Sequence, residues 1–325
     1  MIQFDLPLKE LETYSPEIPV PEDFDAFWSA TLADANRHDV AVDLVRVITP
    51  YRSLETYDVS FSGYAGERIK AWLHLPADAS GPLPGIVQFM GYNSGRGLSH
   101  QFVSYALAGY AHLVMDNRGM GTFGAVSATA DSLLMTTGDG GAFITRGIED
   151  PESYYYRRLF TDAARAVEAL RSLDVVDASR VGVSGGSQGG ALALAASALA
   201  DGVKAASIDV PFLCQITRAM RITDTGPFSA LGVYLNSNRD KVTRVENTLS
   251  YFDAATMGAR ATAAGLFSVG LMDAICPPSS VFAAYNRFGG PREIRVYEFN
   301  GHEGGQEHHQ LESFAWFGRH LQAAG

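Results

Sequence analysis

From Pro84 onward six short apolar runs recur, with longer stretches between them: GIVQF (85–89), AHLVMD (111–116), RVGVSG (180–185), AASIDV (205–210), LFSVGLMD (266–273) and IRVYEF (294–299). Apolar runs this short and this continuous suit strands buried on both faces, which a parallel sheet flanked by helices provides. Helical segments fall between them: TDAARAVEALRSL (161–173) precedes RVGVSG, and ALALAASALA (191–200) follows it. Ahead of Pro84 the period changes. LETYDVSFS (54–62) and RIKAWLHL (68–75) alternate with period two, as antiparallel strands at a sheet edge do. The expected fold is α/β: a doubly wound, mostly parallel sheet with antiparallel N-terminal strands and helices on both faces. Ligands of such sheets bind beyond the carboxyl ends of the strands.

The 325 residues are 46% hydrophobic, enough to fill a sizeable core, and the chain reads as one domain over 1–325. An N-terminal helical extension is expected over about 1–40. It holds an amphipathic helix from about Pro21 to Asn36, with Phe24, Phe27, Trp28 and Leu32 on one face. The stretch from about 119 to 154 has little periodicity and reads as an irregular insertion of functional or interfacial use. A net charge of −11 argues against a nucleic-acid partner, which would call for clustered Lys and Arg. No apolar run approaches the ~20 residues of a membrane span. The opening MIQFDLPLKELETYS lacks the pattern of a signal peptide, so a cytoplasmic location is expected. Cys214 and Cys276, the only cysteines, read as reduced and buried thiols.

The segment VSGGSQGG (183–190) lies between a strand and a helix, so its glycines are not a linker. A phosphate loop would need a lysine that is absent here. What remains is the G-x-S-x-G nucleophile elbow, a strand, a strained turn and an immediate helix. The pattern matches twice, around Ser184 and around Ser187. Centring it on Ser184 would cut the strand to RVGV. It would also put Gly185 and Gly186 in the first helical turn, at about 1 kcal/mol each relative to alanine. Ser187 has Gly185 two before it, Gly189 two after, and a helix starting near Gln188. It is the candidate nucleophile, and Ser184 reads as a strand residue bonded locally.

On this architecture the partners follow in the order acid, then histidine. Four histidines come late enough: His302, His308, His309 and His320. His302 stands directly after IRVYEF, where a post-strand base belongs, whereas His308 and His309 fall in the helical segment that follows and His320 near its solvated end. Asp273 ends LFSVGLMD and precedes a proline-fixed turn, which makes it the candidate acid. Asp253 lacks a preceding strand and reads as a cap; Glu303, adjacent to His302, reads as structural. In these roles His302 takes the Ser187 proton, while Asp273 fixes the imidazole tautomer and stabilises the imidazolium. The oxyanion needs two preorganised donors: the backbone N–H of Gln188, and one from the loop after GIVQF, for which Tyr92 is chosen.

The set GYNSGRG (91–97), RGMG (118–121), GGSQGG (185–190), LMDAICPPS (271–279) and HEGG (302–305) resembles the acetyl xylan esterase/cephalosporin C deacetylase family, carbohydrate esterase family seven, of the α/β-hydrolase superfamily. The likeness extends to PLKELETY, PEDFDAFW and TRGIEDPESYYYRRLFTDAARAVEA (145–169). It implies an α/β-hydrolase fold and a serine esterase acting on small acetyl esters: acetylated xylo-oligosaccharides, sugar acetates and cephalosporin C. It implies no metal, no organic cofactor, and a homohexamer built as a dimer of trimers. Ser187, Asp273 and His302 match the family triad, and Tyr92 and Gln188 its oxyanion donors. Met120 stands where the family usually has glutamine, and Met90 where a histidine often precedes the Gly91-Tyr92 pair. Met90, Gly91, Met120, Pro227 and Phe228 fall where the family's substrate pocket lies. The alternatives are a broader short-chain carboxylesterase or another serine hydrolase of the same fold, such as a longer-acyl carboxylesterase or a peptidase, and a non-catalytic α/β-hydrolase-fold binding protein.

Overall fold

Consecutive residues of a strand point to opposite faces of its sheet, and here both faces are apolar. Val87, Ala206 and Phe267 join a core with helices on one side, while their neighbours Ile86, Ala205 and Leu266 join Trp316, Phe317 and Leu321 on the other. This double burial is why the runs lack alternation. The computed structural model describes residues 2–122, 125–132 and 142–322.

Nine strands form one sheet: β1 (Asp43–Val47), β2 (Leu54–Ser62), β3 (Arg68–Pro76), β4 (Leu83–Phe89), β5 (Ala111–Met115), β6 (Val176–Gly186), β7 (Val203–Asp209), β8 (Ala264–Gly270) and β9 (Arg292–Tyr297). Their order is β1-β2-β3-β5-β4-β6-β7-β8-β9. The first three pairings, ending with β3 on β5, are antiparallel; those from β5 to β9 are parallel. The helices are α1 (Leu8–Leu11), α2 (Phe24–Ala35), α3 (Ser104–Leu107), α4 (Tyr155–Arg171), α5 (Gln188–Leu199), α6 (Ile216–Ile222), α7 (Gly226–Ser237), α8 (Val242–Ser250), α9 (Ala254–Gly258), α10 (Pro278–Arg287) and α11 (Gln306–Leu321). Helices α4 and α5 cover one face, and α3 with α11 the other. This is the α/β-hydrolase arrangement.

Several boundaries differ from the sequence reading. β8 ends at Gly270, so Asp273 stands three residues beyond the strand, in a turn closed by its N–H on the Gly270 carbonyl. Helix α2 begins at Phe24 rather than Pro21, because the Phe24 N–H closes a separate turn onto the Pro21 carbonyl. Helix α4 starts at Tyr155, six residues early, with Tyr154, Tyr155 and Tyr156 buried at its start. Strand β1 was not anticipated: it is an edge strand exposed over most of its length, and its sequence DLVRV has no inward apolar face. Residues 123, 124 and 133–141 of the expected insertion lie outside the described residues. Among the described residues, no helix is long and apolar enough to cross a membrane.

Candidate active site

Ser187 sits between the last residue of β6 and the first of α5, with φ 56° and ψ −118°. A non-glycine residue in that region is strained and persists only where its surroundings hold it. Three backbone bonds do so. The Ser187 N–H donates to the Asp209 carbonyl at 2.9 Å, and the Ser187 carbonyl accepts from Phe212 at 2.9 Å and from Ala191 at 3.1 Å. Ser184 lies inside β6, and its hydroxyl meets the Tyr105 hydroxyl at 2.9 Å. That partner is 79 positions away, so Ser184 is not bonded locally as expected; it reaches across to α3.

His302 and Asp273 come to Ser187 from two turns at the same rim. His302 Nε2 lies 2.9 Å from Ser187 Oγ, and His302 Nδ1 lies 2.9 Å from Asp273 Oδ2. A carboxylate only accepts, so Nδ1 carries the proton and Nε2 is left to accept the serine O–H. Asp273 is fully buried, and its Oδ1 accepts the N–H groups of Ile275 and Cys276 at 2.8 and 2.9 Å. Both oxygens are engaged, which fixes the orientation of the carboxylate toward His302. The adjoining Glu303 accepts from Asn300 Nδ2 and from the Gly301 N–H, tying the turn that carries His302. Of the remaining late histidines, His308 and His320 are exposed, while His309 is buried and bonds Asp209. Asp253 is the N-cap of α9, accepting from the Ala255 N–H.

The loop after β4 is brought against the elbow. A Cβ on Gly189 would stand 2.4 Å from the Phe89 carbonyl oxygen, so only glycine lets β4 and α5 approach this closely. Gln188 is the first residue of α5, where a helix has no internal partner for its N–H. Its side chain accepts from the Tyr156 hydroxyl at 2.9 Å and reaches the Gly91 carbonyl at 3.5 Å. Tyr92 follows in that loop. Its phenol is pushed up to about 12 by burial, and its hydroxyl accepts the Ile144 N–H.

Asn117 was not singled out from the sequence. Its amide donates to the carbonyls of Met90, Gly91 and Ser94 at 3.1, 3.1 and 2.8 Å, fixing the loop. The adjoining Arg118 is buried with a two-point bond to Asp162 at 2.6 and 2.8 Å. The sequence signal is Asn117 itself, next to the RGMG motif and two residues past the end of β5.

The expected pocket residues fall around these loops. Met120 is buried, with its sulfur 3.3 Å from the Asn93 nitrogen and 3.5 Å from Gln188 Nε2. Met90 and Gly91 line a cavity of about 430 Å³ with Tyr92, Ser94 and Phe102. Phe228 is buried against Phe212 at 4.4 Å between ring centroids, and Phe212 packs edge-on against Tyr92. Pro227 is half-buried in the first turn of α7.

Among the described residues one group, Asp273, Cys276 and His302, brings possible metal-ligating atoms within 4.8 Å of one another. The imidazole and carboxylate atoms are already paired in the serine relay. Burial pushes the Cys276 thiol up, away from the thiolate that a metal would need. The donor set suits proton transfer better than coordination.

The family model for acetyl xylan esterase (AXE1) matches residues 1–320. The chain is similar to the solved acetyl xylan esterase from Paenibacillus sp. R4, with 36% identity and a TM-score of 0.91 over 97% of this chain and 100% of that one. It is also similar to acetyl xylan esterase 1 from Thermoanaerobacterium sp. JW/SL YS485, with 32% identity and a TM-score of 0.89 over 97% of this chain and 98% of that one. A curated relative, acetyl esterase Axe7A of Xylanibacter ruminicola, is 27% identical over 301 residues, 90% of this chain. The match spans 65% of that longer protein.

Proposed function

The chain belongs to the acetyl xylan esterase family, and from that membership we propose that it is a serine esterase removing acetyl groups from small esters. The observation that carries the reading is the unbroken relay of 2.9 Å contacts from Ser187 through His302 to the buried Asp273.

In this reading Ser187 Oγ attacks the acetyl carbonyl while His302 Nε2 takes its proton, and Asp273 stabilises the imidazolium. The developing oxyanion is met by the backbone N–H groups of Tyr92 and Gln188; loss of one such donor costs about 2.7–4 kcal/mol in related chemistry. His302 then returns the proton to the leaving alkoxide, the ester C–O bond breaks, and an acetyl-serine remains. Water attacks it with His302 again as base, releasing acetate and restoring Ser187. Every proton is returned within the cycle, so it calls for no cofactor.

Kinetics on acetylated xylo-oligosaccharides, glucose pentaacetate and cephalosporin C, alongside aryl esters from acetyl to octanoyl, tests the substrate class. Rates falling beyond about propionyl are expected, as a pocket gains or loses only about 1–3 kcal/mol per methylene. A preference for long acyl chains would make it a broader carboxylesterase. Failure of a fluorophosphonate to label Ser187 would favour a non-catalytic protein. The reading includes a single α/β-hydrolase domain that assembles with its own copies, as a hexamer, in the cytoplasm. Light scattering on the purified chain reads the assembly, and a monomer would remove that part.

A further inference from the structure

Behind the serine relay lies a second chain of polar contacts that the proposed chemistry leaves unused. Asp209, the last residue of β7, accepts from His309 Nε2 at 2.9 Å and from Ser207 Oγ at 3.0 Å. His309 Nδ1 in turn lies 3.1 Å from the Tyr297 hydroxyl. Because Asp209 only accepts, the imidazole proton is on Nε2, and Nδ1 accepts the phenol O–H. His309 is buried, and its two partners come from opposite sides: β7 near the elbow and β9 at the sheet edge.

Each end of this chain supports one half of the site. At one end the main-chain carbonyl of Asp209 accepts the Ser187 N–H at 2.9 Å. The residues that follow are themselves strained: Val210, Leu213 and Gln215 have φ of 39°, 57° and 45°. Such a stretch stays in place only when pinned at both ends. Its far end is pinned by Asp253, which accepts the N–H groups of Gln215 and Ile216 at 3.1 and 2.9 Å. The near end is pinned by His309. At the other end of the chain the Tyr297 ring lies against Gly305, where an added Cβ would stand 2.3 Å from the ring. Gly305 closes the HEGG turn that begins with His302, and the Val210 side chain lies against Gly304 of the same turn.

We infer that His309, with Asp209 and Tyr297, forms a positioning relay that sets nucleophile and base relative to each other. One buried imidazole holds the residue whose carbonyl fixes Ser187 and the phenol that backs the His302 turn. None of the three is assigned contact with substrate. The inference rests on Ser187 and His302 acting as proposed above. Misplacing reacting groups by about 1 Å can cost on the order of a hundredfold in rate without loss of binding.

The test compares His309→Asn, His309→Gln and Asp209→Asn with the unaltered chain, using kcat and KM on an aryl acetate per fluorophosphonate-titrated site. Glutamine is long enough to place its amide near Asp209, and asparagine is not. Asp209→Asn keeps the carbonyl on Ser187 and alters only the side chain. His309→Asn is expected to lose about 10- to 100-fold in kcat with KM within about threefold. His309→Gln should recover most of that loss, and Asp209→Asn should fall between. Unchanged kcat per titrated site in His309→Asn overturns the inference, even if fewer sites fold, because the role is then only structural. Equal losses in the Asn and Gln variants also overturn it. Ser187→Ala separates the two readings: an active Ser187→Ala chain sinks the proposed mechanism, whereas an inactive one beside an unaffected His309→Asn sinks this inference alone.

Discussion

Gly185 and Gly189 face each other across the elbow with no room between them: a Cβ on Gly185 would stand 2.4 Å from the Gly189 carbonyl carbon. Gly186, one residue on, is different, since a Cβ there meets only Asp209 atoms at 3.8 and 3.9 Å. Gly185→Ala should therefore displace the elbow. The expected result is a stability loss of about 1–3 kcal/mol and a kcat lower by about 100-fold or more. Gly186→Ala should keep stability within about 1 kcal/mol of the parent. Denaturant melts with esterase assays on both variants check this, and equal losses would contradict the close-approach argument.

The sulfur of Met120 stands where a better acceptor would be useful, facing the Asn93 N–H and the Gln188 amide. A thioether accepts only weakly. Met120→Gln should hold or raise thermal stability and leave kcat at or above the parent's, because an amide oxygen can take the same donors. Met120→Leu keeps the volume and removes the acceptor, with an expected cost under about 1.5 kcal/mol. Steady-state kinetics should show its loss in kcat rather than KM. Indistinguishable Leu and Gln variants would mean the sulfur is only filling space.

Asn117 spends its amide on three carbonyls of the loop carrying Tyr92. Asn117→Ala takes that donor from the Met90 and Ser94 carbonyls, while Gly91 keeps the Ser94 N–H, at a cost of about 1–3 kcal/mol. The proposed oxyanion donor Tyr92 would lose its support, and kcat should drop about tenfold or more. Asn117→Asp should do no better, because a carboxylate cannot donate to a carbonyl. Activity retained in the aspartate variant would show that shape, not donation, is what the loop needs.

His74 and His112 pair across β3 and β5, both fully buried, and His74 Nε2 and His112 Nδ1 have no hydrogen-bond partner among the described residues. Burial brings His74 down to about 4 and lowers His112 well below 6.5, the latter also repelled by His74. The unfolded chain takes up these protons first, so their contribution is whole above about pH 6.5 and is lost as pH falls toward 4. Asp253 runs the other way: burial pushes it up to about 6, so its contribution falls as pH rises from about 4 to 6. Urea melts at pH 7 and pH 5 should show that His74→Gln loses less stability on acidification than the parent, by about 2 kcal/mol. An identical loss would place the acid sensitivity elsewhere.

Much of the architecture was legible because its causes are local. An uninterrupted apolar run marks a strand covered on both faces, and the choice of Ser187 over Ser184 followed from what a first helical turn tolerates. Edge strand β1 left no such mark, since it buries almost nothing. The reach of β8 was overestimated because LMD continues its apolar pattern past Gly270, while the chain has already turned to bond the β9 side through the Leu271 and Met272 N–H groups.

By itself the sequence determined the strand–turn–helix at Ser187, the order of the candidate acid and base behind it, and the family. Each depends on neighbours along the chain, where steric demand and spacing are written directly. Only the tertiary structure decided what holds those groups. Asn117 finds Met90 across 27 positions, Tyr156 finds Gln188 across 32, and His309 finds Asp209 across 100. Such contacts follow from strand order, register and helix docking. A hydrogen bond is set by the positions of both partners, and the sequence records only their identities.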